Sequence, residues 1–446
     1  MRPDGSVRNF QGSRGAEARF RRDGSVRDVH SRGLTISRGA TGGRRVFRER
    51  PDHSIVVAEG RGHGYIQRPF SHRNHNYFAR EFHGDHGRFV RFYEPYHYRG
   101  FALNVFVPVR YYPPVFYGWA YAAWPRSIYY HWGWLDDPWY GYYGPYFTPF
   151  PAYPSASMWL TDYVLGAALA QDYRERAAAA EDESLGFVPP CDTGQIPLSN
   201  EVKQAIADEV RFQLSLLNEQ GQIVSRGDVP DPAASGLPRL LSDNKPHTFV
   251  VSSSLDVMSG IEECSLTPGD VLQLNGAQAS GSNMVFLQVL ASKTQSCPTG
   301  SVVSMSFEDL QNIHNGMRET VDQGLTELQS KQGQGGLPAA PAGALRGLVQ
   351  APFAASAPPP DPNAEAILSQ TDQEGNVAEK EVLGEVYEPP ATPAAETVTI
   401  QLGQTIEQVT AMLGPPTQVV DLGTKKIYVY KNMKITFLSG KVTDVQ

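Results

Sequence analysis

The chain has 446 residues, enough for roughly two to four domains with real cores, and its net charge of −8 conceals two opposite halves. Residues 1–100 carry 20 Arg, no Lys and 10 acids, whereas the remainder sums to −18 and its first lysine is Lys203, an asymmetry that implies a polyanion partner for the front end or attraction between the halves. No stretch reaches the ~20 apolar residues of a membrane span, since the best candidate, Trp159–Leu169, is short and interrupted by Asp162.

The opening RPDGSVRNF at 2–10 recurs as RRDGSVRDV at 22–30 and, more loosely, as RPDHSIVVA at 50–58. Asp-Gly ahead of alternating small β-formers signals a hairpin turn, and repeats of this kind predict hairpins laid side by side. A chain that opens inside the first copy leads us to expect a native product that starts further upstream with an export signal. Two more hairpins are predicted, one where Tyr77–His83 and Arg88–Tyr93 flank Gly84-Asp85-His86-Gly87. In the other, Tyr96–Tyr98 meets Phe101–Val107 across Arg99-Gly100. Residues 1–110 therefore read as an arginine-rich β-meander with arginine on its wet face. Histidines gather here too: His53, His63, His72, His75, His83, His86 and His97. His72/His75 and His83/His86 have H-x-x-H spacing, but both pairs fall at turns, where zinc sites of that spacing normally add cysteine, carboxylate or a helical pair. They read as turn or strand-face histidines, and no metal or cofactor is expected.

All six tryptophans lie between Trp119 and Trp159, and Tyr111–Tyr163 holds 21 of the chain's 47 aromatic residues beside one base, Arg126, and three acids, Asp136, Asp137 and Asp162. Gly and Pro interrupt the run every few residues, which rules out one regular helix or a long strand. Residues 111–157 are expected as an irregular segment with three open uses. It could wrap the sheet as a packed layer, stack rings on sugars or bases, or lie at a membrane interface. Trp132, Trp134, Trp139, Tyr140, Tyr142 and Tyr143 form the candidate binding surface. Arginine beside aromatics raises RNA binding, but the chain has no RNP-type motif, KH-like loop or zinc knuckle.

Helical signals dominate 158–220. Met158–Arg176 runs into Ala177–Ala180 as one helix, and Ser199 caps a second whose Val202, Ile206, Val210, Leu214 and Leu217 keep four-residue steps. A Pro/Gly loop at about 221–246 is expected next. Residues 247–305 predict a small five-stranded barrel from Thr248–Ser252, Leu255–Met258, Asp270–Leu274, Val285–Ala291 and Val302–Met305. Cys264 and Cys297 bracket much of it and form a candidate disulfide, with two free buried thiols as the alternative and Cys191 left over. Ser306 caps a helix over about 307–331 within the 306–332 element, with Glu308 and Asp309 in its first turn. Residues 333–397, rich in Pro, Ala, Gly and acids, read as a disordered linker. In 398–446, Thr405–Gln408 has the form of a capping box, Gly414-Pro415-Pro416 stops the helix, and strands follow at Gln418–Asp421, Lys426–Lys431, Lys434–Leu438 and Val442–Val445.

Three local likenesses accompany these patterns. CSLTPGDVLQL resembles bacterial SH3-like modules, several of which bind cell-wall peptides. Gly403, Thr405, Val409, Leu413, Gly414, Pro416, Tyr430, Phe437, Gly440, Lys441 and Val442 resemble the BamE/SmpA/OmlA-type domain, the small lipoprotein of the outer-membrane barrel-assembly machinery. That likeness implies an envelope setting and a protein-binding module, although the lipidated cysteine usual near the start of such proteins is missing here. The run WGWLDDPWYGYYGPYF followed by SMWLTDYVL is similar to a bacterial family spanning residues ~22–335, a likeness that implies no activity.

The sequence thus predicts an α+β, multidomain, non-enzymatic protein. It would act in the periplasm or outer envelope as a binding or structural protein, through tethered modules and avidity. Its partner would be a protein or an envelope polymer such as a glycan or peptidoglycan, with no small-molecule substrate. A cytoplasmic, arginine/aromatic nucleic-acid binder is the first alternative. An enzyme assembled from distant residues is the second, weakened by the lack of H-E-x-x-H, G-x-S-x-G, P-loop or dinucleotide fingerprints.

Overall fold

Short runs of β-formers punctuated by tight turns build the front of the chain. In the computed structural model, which describes residues 8–446 except 13–14, 85–86, 182–194, 276–282, 295, 345, 388–398 and 432, these runs form ten strands. They are β1–β10: Asn9–Gln11, Glu17–Phe20, Val26–Ser31, Leu34–Arg38, Arg44–Glu49, Ile55–Gly60, His63–His72, His75–Gly84, Gly87–Tyr98 and Phe101–Val107. They pair antiparallel in strict chain order, as the repeats predict. Most of the first repeat, the turn residues Asp85 and His86, Cys191 and Asn432 lie outside the described residues. His72 and His75 face each other across Arg73 and Asn74, both at positive φ (48° and 64°), the two-residue turn whose twist suits a hairpin.

β9 is one strand where two were expected. It runs through Pro95 because the β8 ladder ends at Phe78–Tyr93, so the missing N–H of Pro95 costs no bond on that side. β10 is the far edge of the sheet, and a helix seals it. Asn315 donates to the Asn104 carbonyl at 2.7 Å and accepts from the Phe106 N–H at 2.9 Å, mimicking an eleventh strand.

The ring-dense segment is a chain of short elements: β11 (Arg110–Tyr111), α1 (Pro114–Tyr121), β12 (Ala123–Ile128), a 3₁₀ turn (Gly133–Asp136), α2 (Pro138–Tyr143) and β13 (Tyr153–Ser155). Proline opens both helices at a position where its missing N–H would be unbonded anyway. Two long helices follow, α3 (Ala156–Glu181) and α4 (Asn200–Ser225), the latter with Ser199 accepting from the Val202 N–H. The loop expected from 221 starts later than predicted. α4 continues through Gly221, where a Cβ would lie 3.1 Å from Tyr111 Cβ, so the glycine serves a close approach instead of ending the helix. A short α5 (Leu237–Ser242) also lies inside that expected loop.

The expected five strands are six: β14 (His247–Val250), β15 (Leu255–Ser259), β16 (Glu262–Leu266), β17 (Val271–Leu274), β18 (Met284–Ala291) and β19 (Val302–Ser306). They pair in the order β14-β17-β18-β19-β15-β16. The extra strand, β16, was missed because Glu262, Glu263 and Ser265 break its apolar pattern. Its Cys264 sulfur is 2.05 Å from that of Cys297, at bonding distance. α6 (Phe307–Lys331) starts at a full capping box between Ser306 and Asp309.

Much of the span expected as a linker is ordered. Val349–Gln350 (β20) pairs with β11, Pro352–Ser356 makes a 3₁₀ turn, and Ala364–Tyr387 is a helix, α7. Composition misled because the buried stripe of α7 is thin, chiefly Leu368, Ala378 and Val382. What holds it is the sheet below: Arg38 and Arg44 both bond Glu379, Arg44 also meets Asp372, and Arg48 meets Glu374.

The chain divides into two units, Met1–Leu383 and Gly384–Gln446. In the second, Thr405 and Gln408 complete the predicted capping box of α8 (Ile406–Leu413). Four strands, β21–β24 (Gln418–Leu422, Lys425–Val429, Lys434–Leu438 and Lys441–Val445), then pair consecutively. Val409, Ile435, Phe437 and Val442 are its buried core.

Candidate functional site

The aromatic segment supplies much of one of the buried clusters of the first unit. Trp132, Trp139 and Tyr143 are buried, which corrects their place on an outward binding surface, whereas Trp134, Tyr140 and Tyr142 keep part of their rings exposed. The reason is neighbourhood: Trp132 stacks on Trp159 at 4.9 Å and on Trp134 at 5.2 Å, and Trp139 lies 4.9 Å from Trp134. α3, α4 and α6 close over these rings with Leu160, Val164, Leu214 and Leu325. Gly324 of α6 permits this approach, since a Cβ there would meet Leu160 Cδ2 at 2.5 Å. Of the three uses open to the rings, packing accounts for most of them.

Two buried ionic clusters pin the segment, and neither was singled out from sequence. In the first, Asp162 of α3 accepts from the Tyr153 hydroxyl (2.6 Å) and the Phe150 N–H (2.6 Å) and pairs with Lys203 of α4 at 3.2 Å. Lys203 also donates to the Thr148 carbonyl at 2.8 Å and sits 3.6 Å above the Phe150 ring. Trp132 Nε1 donates to the Tyr153 hydroxyl at 2.7 Å, completing the chain of bonds. Burial pushes the Asp162 carboxyl up and the Lys203 ammonium down, and each partner opposes the shift of the other.

In the second cluster, Asp172 accepts from the Tyr143 hydroxyl and from Arg176 Nε (2.9 Å), with Lys293 Nζ 3.6 Å away. Lys293 also donates to the Pro268 carbonyl at 2.7 Å and lies 3.8 Å from Asp270, whose carboxyl burial pushes up. Burial lowers the Arg176 guanidinium, but Asp172 and Tyr143 more than offset it, leaving its pKa raised. The signal available in the sequence was a lone Asp at 162 and another at 172 within the otherwise apolar MWLTDYVLGAALAQDY. These groups hold one another: their geometry binds α2, α3, α4 and the β16–β17 turn into one core.

Part of the charge asymmetry is met by ion pairs between the halves. Arg32 adds a further α7 contact with Glu381 (2.6 Å), and elsewhere Arg21 pairs with Asp256 (3.0 Å), Arg27 with Glu263 (2.5 Å) and Arg91 with Glu319 (2.8 Å). The histidines of the H-x-x-H pairs also have separate neighbours: His72 Nδ1 lies 2.8 Å from Ser356 Oγ, His75 Nδ1 2.9 Å from Glu94, and His83 Nε2 3.0 Å from Glu81. Among the described residues, no group of three or more His, Cys, Asp or Glu could hold a metal ion, and no helix is long and apolar enough to cross a membrane.

Comparison with known proteins finds no match. No family model, no curated protein and no solved structure is similar to the chain.

Proposed function

We propose that this is a non-catalytic binding or structural protein of the bacterial cell envelope, working outside the cytoplasm through two tethered units. The observation that carries the reading is the Cys264–Cys297 pair at bonding distance, which supports an oxidising compartment. Closing the 33-residue separation stabilises the six-stranded sheet by about 3–4 kcal/mol on the chain-entropy account. The C-terminal likeness to BamE/SmpA/OmlA-type domains supports the same setting. Binding falls to the part-exposed rings Trp134, Tyr140 and Tyr142 for an envelope polymer and to the second unit for a protein partner. The sheet of that unit leaves Val420, Leu422 and Leu438 exposed beside Lys425 and Lys441.

The nucleic-acid alternative needs arginines free to meet phosphates. Arg21, Arg27, Arg38, Arg44 and Arg91 instead hold carboxylates of the same chain, which favours the envelope reading. Fractionation of native cells, with the pair's thiol state trapped on lysis, tests the compartment, and co-sedimentation with peptidoglycan sacculi or outer-membrane fragments tests the binding. Recovery in the cytosol with both thiols reduced, or steeply salt-dependent affinity for RNA, would overturn the proposal.

A further inference from the structure

Taken by itself, the second unit has one covered face and one bare face. β21–β24 pair antiparallel, so their side chains alternate between the two sides of the sheet. Ile435, Phe437 and Val442 turn to one side and pack with Val409 of α8. The other side of such a sheet is normally polar, since it faces water. Here the register instead sets Leu422, Lys425, Leu438 and Lys441 side by side in one row across all four strands. Val420, Ile427, Thr436 and Asp444 form the next row. Leu422 is 62% exposed, Leu438 51% and Val420 37%.

Charge on the bare face is one-sided. Lys425, Lys434 and Lys441 share it with a single acid, Asp444. Lys426, on the covered side, pairs with Asp421 at 3.1 Å, whereas among the described residues none of the three outer lysines has an ion-pair partner. Two such faces would repel each other, so a second copy is a poor occupant. The turns beyond the first row carry Gly423, Thr424, Ser439 and Gly440, so no apolar tip projects to enter a bilayer. Spacing selects among the remaining occupants. Strands lie about 4.8 Å apart, which places the four side chains of the first row at about 0, 5, 10 and 14 Å. A helix laid along that row matches it: at 1.5 Å per residue, positions i, i+3, i+7 and i+10 fall at about 0, 4.5, 10.5 and 15 Å on one stripe. An extended strand repeats a face every ~6.7 Å and loses step with the row after one position.

We propose that this face docks an acidic amphipathic helix of a partner protein, lying across the strands. Apolar residues at i and i+7 meet Leu422 and Leu438, and carboxylates at i+3 and i+10 meet Lys425 and Lys441. Val420 and Ile427 widen the apolar floor, while the lysines fix register and orientation. The proposal rests on the reading of the second unit as a protein-binding module and adds the chemistry of what it binds.

The test uses the full chain and a labelled synthetic helix of three heptads with Leu at i and i+7 and Glu at i+3 and i+10, long enough to stay helical. Counterpart peptides carry Gln or Lys in place of Glu, and fluorescence anisotropy at low and moderate salt follows binding. Saturable binding of the Glu peptide, weakened by salt and about fivefold tighter than that of the Gln peptide, is the expected result. Lys425→Gln with Lys441→Gln should lower its affinity about fivefold. Lys426→Gln, on the covered side, should leave it unchanged. Lys425→Glu with Lys441→Glu should transfer the preference to the Lys peptide. Circular dichroism and the unfolding midpoint establish that the variants are folded; should the double variants not fold, Leu422→Asn takes their place, with a severalfold loss expected. Equal binding of all three peptides, binding of none, tighter binding to phosphatidylglycerol vesicles than to the Glu peptide, or a dimer that the lysine substitutions disrupt would overturn the proposal. If the peptides fail while outer-membrane protein still co-sediments with the chain independently of Lys425 and Lys441, the helix proposal falls and the protein-binding reading of the unit stands. If neither associates, both fall.

Discussion

The ring-dense core and the seam beneath α7 both join distant parts of the chain through opposite charges, yet at different depths. In the core, Asp162 and Lys203 are 0% and 3% exposed. At the seam the depth is graded: Arg38 and Arg44 are 12% exposed against Glu379 at 5%, and Arg48 is 28% exposed against Glu374 at 37%. Depth decides what such a pair does. A buried pair contributes little net stability over an apolar replacement but makes loss of one partner severe, because the survivor is stranded away from water. A seam at the rim gains register and orientation from several pairs, and water can take over whichever one is lost. The core is therefore brittle and specific, the seam graded.

The sharpest way to break this contrast is at Lys203. Lys203→Met leaves Asp162 buried with only neutral donors, and unfolding in denaturant should show a loss of about 3–5 kcal/mol. Adding Asp162→Asn keeps an acceptor for Tyr153 and Phe150 without the charge, and should restore most of that loss. A single variant as stable as the parent would show that the ion pair is not what holds the ring segment to α4.

On the other side of the comparison stands Glu379, the acid shared by Arg38 and Arg44. Glu379→Ala should cost about 1.5–3 kcal/mol, the range for hydrogen bonds to charged groups, because Arg44 keeps Asp372 as a partner and both arginines retain some contact with water. The loss should be confined to α7. Faster amide exchange across Ala364–Leu383, with exchange in α3 unchanged, is the expected pattern, and uniform acceleration throughout the unit would contradict a graded seam.

Legibility follows the same division between local and distant causes. The capping box at Thr405/Gln408 and the caps at Ser306 and Ser199 could be read directly because each is settled within four residues. α7 could not, because its partners Arg38, Arg44 and Arg48 lie more than 320 residues away. The burial of Trp132 and Tyr143 was equally hidden. A ring-rich run looks the same whether it faces a ligand or a helix, and only the tertiary positions of Trp159 and Asp172 decide. Glycine misled in a similar way at Gly221, which marks a close approach to Tyr111 where a loop was expected to begin.

Gly375 sharpens the seam from its apolar side. A Cβ there would sit 2.6 Å from Val46 Cγ2, with the Arg44 guanidinium as a further neighbour. Alanine is the better helix former by about 1 kcal/mol, whereas overpacking costs about 1–3 kcal/mol. The close contact should win, so Gly375→Ala is expected to loosen α7 by about 1 kcal/mol net, read as earlier proteolytic cleavage within the helix. Tighter protection would mean that the seam tolerates a shift of the helix.

The smallest effect distinguishes two histidines of the core by sign. His247 lies between carboxylates, with Glu209 2.8 Å from Nδ1 and Asp243 3.0 Å from Nε2, while Gln213 connects Glu209 to His314. Burial lowers the His247 pKa, but Glu209 and Asp243 outweigh it and raise it above the ordinary 6.5. Its stabilising contribution is therefore complete below about pH 6.5 and is lost as pH rises through the higher folded value. His314 runs the other way. Burial, Arg318 and His247 hold it well below 6.5, so its contribution is present above that pH and fades as pH falls. Urea midpoints measured from pH 5 to 9 should show the stability difference between parent and His247→Gln shrinking as pH climbs past about 6.5. A difference constant across the range would mean that the two carboxylates hold a neutral ring, and that charge inside this core is fixed at assembly and does not respond to the surrounding pH.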